Sequence, residues 1–357
     1  MEASALRFVE SQNDVARDPV ILWLSGGPGC SSLFALFTEI GPYLVTTDGQ
    51  NLVENLYSWN KIANLLFFES PVGVGFSYVS DDVVSNDDTA CTDNYAALIQ
   101  FFEEFPQFKE NDFYVTGESY AGVYIPMLVD KILENYEQHP INIKGLVIGN
   151  GVLDPDLRHN TFISYAYYHG FIDESAWERA KDECCDGDID ECDFTQYTSG
   201  FCKYFFDKTH HDARRNQPDI DYVRAAAEQL TCMGVKAVAI FMNREDVRDA
   251  LLVPRSARPW RSCGTTIRYQ KIYRSMEDKL KSAINSGLKV LLHYGDLDLV
   301  CNFIHGEKFA RNLGYGVTQP KMPFAVDGKH AGFITKYGDL EVVIVHVSEQ
   351  YKVLINL

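Results

Sequence analysis

Long apolar runs, an excess of basic residues and phosphate-binding glycine patterns are all missing from this sequence. Each absence removes a class of function. No stretch approaches the roughly 18 uninterrupted apolar residues of a membrane span, so none is expected. Lys plus Arg number 32 against 50 Asp plus Glu, a formal net charge of −18. A nucleic-acid binder needs Lys and Arg to replace the counterions on phosphates, so no nucleic-acid partner is expected. Neither G-x-x-x-x-G-K-[ST] nor G-x-G-x-x-G occurs, which argues against nucleotide loops, and Gly73-Val74-Gly75 reads as a turn. No Asn-x-Ser/Thr acceptor is present, and Met1-Glu2 opens no basic-then-apolar signal run. What is present is 357 residues, 46% hydrophobic and 23% charged. That is an ordinary globular composition, enough for one large domain or two smaller ones.

Nine cysteines occur, at 30, 91, 184, 185, 192, 202, 232, 263 and 301. Four of them fall within 184–202. The spacing lacks the paired C-x₂₋₄-C or His pattern of a zinc site, so disulfides in an oxidising compartment fit better, with at least one thiol left over. No metal or organic cofactor is expected, and His210-His211 reads as a solvated pair in a charged stretch.

Short apolar runs bounded by turn residues alternate with helical patterns. Residues 19–24, 64–68, 112–116, 143–148, 288–294 and 340–345 read as buried strands. Helical periodicity covers 92–105, stopped by Pro106, and 120–136. Strands alternating with helices predict an α/β chain with a mostly parallel, doubly covered sheet. From Asp154 to Cys263 charge and cysteines concentrate and strand-like runs become scarce. We therefore expect a discontinuous core, 1–153 with 264–346, interrupted by a helical, disulfide-bearing cap at 154–263.

Three segments carry chemistry. Gly117-Glu118-Ser119-Tyr120-Ala121-Gly122 follows a strand and opens a helix, the place of a nucleophile elbow that lifts a serine above the sheet. Ser25-Gly26-Gly27-Pro28-Gly29 follows an early strand, where glycines let backbone N–H groups face a site, and Ser31-Ser32 can cap the next helix. Such a loop supplies one oxyanion donor and the residue after the nucleophile the other, here Gly27 and Tyr120. Gly295-Asp296-Leu297-Asp298 ends a later strand, where the acid that orients a histidine belongs. Aspartates there also serve as ordinary turn residues.

Together with FVESQND (8–14), ILWLSGGPGCSSL (21–33), EIGP (39–42), SWN (58–60), ESPVGVGFSY (69–78), IGNGVLDP (148–155) and YGDLDLVCN (294–302), these segments resemble the serine carboxypeptidase family. The resemblance runs from residue 7 to about 346 and is loosest across 203–231. It implies an α/β-hydrolase fold with a helical insertion, lysosomal or secreted residence, and removal of C-terminal residues from peptides at acidic pH. It makes Ser119 the nucleophile and Asp298, rather than Asp296, the triad acid. It places Trp23, Ser25, Gly26, Glu39 and Glu118 around the substrate's terminal carboxylate. Cys30 and Cys263 would form the core disulfide, while Cys184, Cys185, Cys192 and Cys202 would pair within the insertion in an order left open. The implied partners are peptide or protein C-termini, and the resemblance admits a homodimer. A carboxylate binds a carboxylate only if one is protonated, so such a pocket favours low pH.

The sequence departs from the family pattern in three places. Ser25 stands where an asparagine is usual. The chain opens at a strand that the family reaches only after a signal and earlier strands. The histidine of a Gly-His-Met-like loop after the last strand has no counterpart, and none of His305, His330 and His346 matches that motif. We expect residues 347–357 to be an atypical tail, Val347-Ser348 reading like a translated splice donor. Two further functions follow from the same scaffold: a catalytically inactive binding or protective member, and an acyltransferase or esterase.

Overall fold

The computed structural model describes residues 6–78, 84–215, 232–264 and 267–346. The expected tail at 347–357 lies outside the described residues.

Nine strands form one sheet. They are β1 (Leu6–Val9), β2 (Val20–Leu24), β3 (Asn64–Phe68), β4 (Phe113–Glu118), β5 (Ile143–Gly149), β6 (Lys289–Gly295), β7 (Gln319–Val326), β8 (Lys329–Tyr337) and β9 (Leu340–Val345). Their spatial order is β1-β3-β2-β4-β5-β6-β9-β8-β7. The six strands from β3 to β9 in that order are parallel, while at the edges β1 pairs antiparallel with β3, β8 with β9, and β7 with β8. This is the mostly parallel sheet that the alternating pattern predicted, in the α/β-hydrolase arrangement that the resemblance implied.

Burial on both faces explains why the central strands are uninterrupted apolar runs. In β2, Val20, Leu22 and Leu24 pack with Leu98, Phe101, Val123 and Leu128 of helices α2 (Asp87–Glu104) and α3 (Ala121–Glu134). Ile21 and Trp23 face the other side, against Leu33, Leu36, Phe241 and Met242. The last four belong to α1 (Ser32–Thr38) and to a later helix at Cys232–Met242. Helix α2 begins five residues before the predicted start. Asn86 and Thr89 cap it reciprocally, so its polar first turn is stable without apolar periodicity. The hairpin of β7 and β8 is also additional to the predicted strands. Much of β7 is exposed, and it carries too little apolar alternation to announce itself.

Between β5 and β6 the chain is mainly helical. Helices Pro155–Tyr168, Glu174–Cys184 and Gly200–Arg215 enclose their own core of Phe162, Tyr165, Trp177, Phe194 and Phe206. Disulfides Cys184–Cys202 and Cys185–Cys192 staple this unit, and Cys30–Cys263 ties the glycine-rich loop to the chain's return. Cys91 and Cys301 are buried free thiols. His211 is exposed as expected, but His210 is not simply solvated. Its ring packs 5.1 Å from that of Phe162 and 6.0 Å from that of Phe206.

Candidate active site

Strand β4 ends at Glu118, and Ser119 follows with φ +58°, a left-handed conformation that costs energy for a residue with a side chain. The elbow is held by its backbone. Ser119 N–H donates to Gly149 O at 3.0 Å, and Ser119 O accepts from Gly122 N at 3.0 Å and Val152 N at 2.9 Å. Small residues are required around it: a Cβ at Gly117 would lie 2.0 Å from Leu24 O, and one at Gly122 would lie 2.8 Å from Val152 N. Among the described residues Ser119 Oγ has no hydrogen-bond partner, and the side chain is half-buried.

The glycine-rich loop abuts this elbow. A Cβ at Gly26 would lie 2.3 Å from Tyr120 N and 2.8 Å from Ser119 Cβ. Gly27 has φ +112°, a backbone conformation that suits glycine. Behind the loop Ser31 caps α1, its Oγ accepting from Leu33 N at 3.2 Å. The sequence reading gave no role to Glu69, yet it braces this loop from a fully buried position. The carboxylate accepts from Ser31 Oγ, from Trp260 Nε1 at 2.9 Å and from Phe76 N at 2.8 Å. Burial pushes it up to about 7 against those three hydrogen bonds.

Glu39 caps the C-terminus of α1 and Glu118 closes β4, so both predicted glutamates sit at element ends beside the elbow and its loop. Neither is a solvated helix end; both are half-buried. Burial, then the charge of Glu118, raises Glu39 well above the usual carboxylate range. Burial, then Asp298, pushes Glu118 up to about 7. Three carboxylates therefore repel one another in series, and at least one proton is held among them at mildly acidic pH. Trp23 Nε1 donates to Ser25 Oγ at 3.1 Å, and Ser25 N–H donates to Ser32 Oγ at 3.0 Å.

The acid-bearing loop follows β6. Asp298 Oδ2 accepts from Asn150 Nδ2 at 2.6 Å, and Oδ1 accepts from Val300 N at 2.7 Å and Cys301 N at 3.2 Å. Asn150 also escaped the sequence reading. It takes φ +43° directly after a strand, and its place inside Gly-Asn-Gly was the sequence's hint of such a turn.

Asp296 has a histidine partner. His346 Nδ1 and Asp296 Oδ2 lie 2.6 Å apart, while His346 Nε2 faces His330 Nε2 at 3.1 Å. His305 is fully buried, accepts at Nε2 from Asp154 N at 3.3 Å, and is pushed down to about 3 chiefly by burial. Among the described residues no histidine hydrogen-bonds Asp298. Cys301, next to the acid, is pushed up to about 12 by burial and then Asp298, so its thiol stays neutral.

Comparison with known proteins bears on the family and the fold. Residues 7–348 match the family model described as serine carboxypeptidase. The chain is 34% identical to the lysosomal protective protein of Mus musculus, over 91% of this chain and 78% of that protein. It is also 34% identical to a serine carboxypeptidase of Caenorhabditis elegans, over 87% of this chain and 73% of the relative. Among solved structures, a prohormone-processing carboxypeptidase from Saccharomyces cerevisiae superposes with a TM-score of 0.77 at 24% identity, covering 97% of this chain and 82% of that one. At that identity the superposition speaks to the fold.

Proposed function

This chain belongs to the serine carboxypeptidase family, and we propose that it removes the C-terminal residue of a peptide through an acyl-enzyme on Ser119. In this reading Ser119 Oγ attacks the last peptide carbonyl as its proton passes to a base. The carbonyl oxygen becomes an oxyanion, and the Gly27 and Tyr120 N–H groups stabilise it. Loss of one such donor typically costs about 10²–10³ in rate. The amine leaves with a proton, and water then releases the acyl group by the same path. Asp298 would orient the base, with Asn150 holding its carboxylate in place.

Trp23, Ser25, Gly26, Glu39 and Glu118 would read the terminal carboxylate. The observation that carries the reading is the pair of half-buried glutamates, both pushed upward, beside a strained serine elbow. A protonated carboxyl donates to a carboxylate, whereas an ionised one repels it. Specificity for free C-termini and acid pH follow from the same groups. Residues 154–263 would act as a cap carrying side-chain specificity over a core of 1–153 and 264–346. Lysosomal or secreted residence fits the disulfides, since such bonds persist in oxidising compartments. No helix among the described residues is long and apolar enough to cross a membrane.

One observation favours a second reading, an inactive member that binds peptides. The Asp298 carboxylate is held by Asn150 and two backbone amides, and His346 is committed to Asp296. A fluorophosphonate probe separates the two readings, because only an activated serine is labelled quickly. Rapid labelling of Ser119, together with hydrolysis of a free-acid peptide but not its C-terminal amide, supports the carboxypeptidase. Labelling with turnover of small esters alone would indicate an esterase, and tight peptide binding without labelling would establish the binding protein.

A further inference from the structure

Asp87 opens α2 and is completely buried, 0% exposed. A buried carboxylate is costly unless donors surround it. Here Oδ1 accepts from Tyr120 Oη at 2.8 Å and Tyr269 Oη at 2.7 Å. Oδ2 accepts from Ile272 N at 2.6 Å and Tyr273 N at 3.1 Å. The first turn of a helix adds a favourable dipole for the negative charge. One carboxylate thus joins α2, the chain's return at 269–273, and the residue that follows the nucleophile.

Tyr120 is fixed at both ends. Its ring meets Tyr124 edge to face at 5.3 Å and Tyr269 at 5.8 Å, and Lys271 Nζ lies 4.9 Å from its centroid. Burial, then the hydrogen bond to Asp87, holds its phenol above the usual tyrosine range, so it stays a donor. At the other end its backbone nitrogen lies where a Gly26 Cβ would intrude. Immediately before that nitrogen the chain carries the strained φ of Ser119. A conformation of that kind persists only where its surroundings over-determine it. The backbone bonds of Ser119 supply part of that constraint, and the anchored phenol supplies the rest.

We infer that Asp87 is a positioning residue for the oxyanion hole: by holding Tyr120 Oη it fixes the direction of the Tyr120 N–H. This rests on Tyr120 N–H being an oxyanion donor, as proposed above. The oxyanion forms only as the carbonyl is attacked, so losing the anchor of its donor acts on the transition state and leaves substrate capture alone.

The test compares Tyr120→Phe and Asp87→Asn with Tyr273→Phe. The last removes a phenol bond of the same kind, Tyr273 Oη to Asp88 Oδ1 at 2.8 Å, one residue away from the anchor. Tyr120→Phe is expected to lower kcat about tenfold, less than complete loss of a donor, with KM within about twofold. Tyr273→Phe is expected to lower thermal stability and leave kcat within about twofold. Unchanged kcat in Tyr120→Phe, or an equal fall in Tyr273→Phe, overturns the inference.

Crystal structures of the wild type and Tyr120→Phe provide a readout that needs no turnover and survives if Asp87→Asn fails to fold. Displacement or disorder of the Tyr120 nitrogen relative to Gly27 supports the anchor, and an unmoved nitrogen overturns it. If the wild type hydrolyses no peptide, the carboxypeptidase reading fails on that result, while the structural comparison still decides the role of Asp87.

Discussion

The serine half of the candidate site and the acid half are held in different ways. Around Ser119 the geometry is fixed mainly by main chain, with three backbone hydrogen bonds of the serine and a Gly26 loop that has no room for a Cβ, and the buried side chains of Glu69 and Asp87 stand behind it. Around Asp298 two backbone amides hold one carboxylate oxygen, while the other contacts are side chains from separate strand ends, Asn150 after β5 and, for the neighbouring Asp296, His346 after β9. Backbone placement is insensitive to most single substitutions. Side-chain placement can be redirected by one. The strained Ser119 elbow thus rests on rigid main-chain support, whereas each aspartate also depends on a single side-chain partner.

The largest effect should come from the rigid half. Ser119→Ala is expected to abolish peptide hydrolysis by about three orders of magnitude or more and to eliminate fluorophosphonate labelling. Labelling that persists would place the nucleophile elsewhere.

The junction between the halves is Glu118, which closes β4 and faces Asp298 electrostatically. Its folded value is raised to about 7 from an unfolded value near 4.5, so the fold prefers the protonated form. The associated stability is complete below the unfolded value and lost as pH rises through about 7. Capture of a free-acid peptide should weaken across the same window, KM rising about tenfold between pH 5 and 8. Glu118→Gln should flatten both curves. A KM profile unchanged by that substitution would remove Glu118 from the carboxylate pocket.

A smaller gain is expected from Ser25→Asn, which restores the amide that family members place before the glycine run. One added neutral hydrogen bond is worth about 1 kcal/mol, so KM should fall about fivefold with kcat unchanged. No change, or a fall in kcat, would mean that the Trp23 to Ser25 contact serves a different purpose.

The smallest effect is expected in the acid half. His346 turns its second nitrogen to His330, so His346→Gln should leave Ser119 labelling within about threefold. A loss beyond about a hundredfold would break the comparison by making His346 the base and Asp296 its orienting acid.

Legibility followed burial. The core strands at 64–68 and 340–345 match their predicted bounds to the residue, because cover on both faces keeps most of their positions apolar. The exposed hairpin β7–β8 and the capped polar start of α2 carried no such signal. Ser119, Gly27 and Asp298 were legible as candidates because they lie in contiguous motifs with a fixed place at strand ends. Glu69, Asp87 and Asn150 were not, since each takes its place from hydrogen-bond partners distant in sequence. Asp87 meets Tyr269 across a separation of 182 residues, and Asn150 meets Asp298 across 148.

The sequence by itself determined the fold class, the elbow and the family, because local propensity, glycine geometry and apolar period act over a few neighbouring residues. Only the tertiary structure decided which aspartate meets a histidine and which carboxyls keep their protons. It also decided which buried acid holds the Tyr120 phenol. Desolvation and charge depend on what the fold brings near a group, and the neighbours of a residue in space are not its neighbours in the chain.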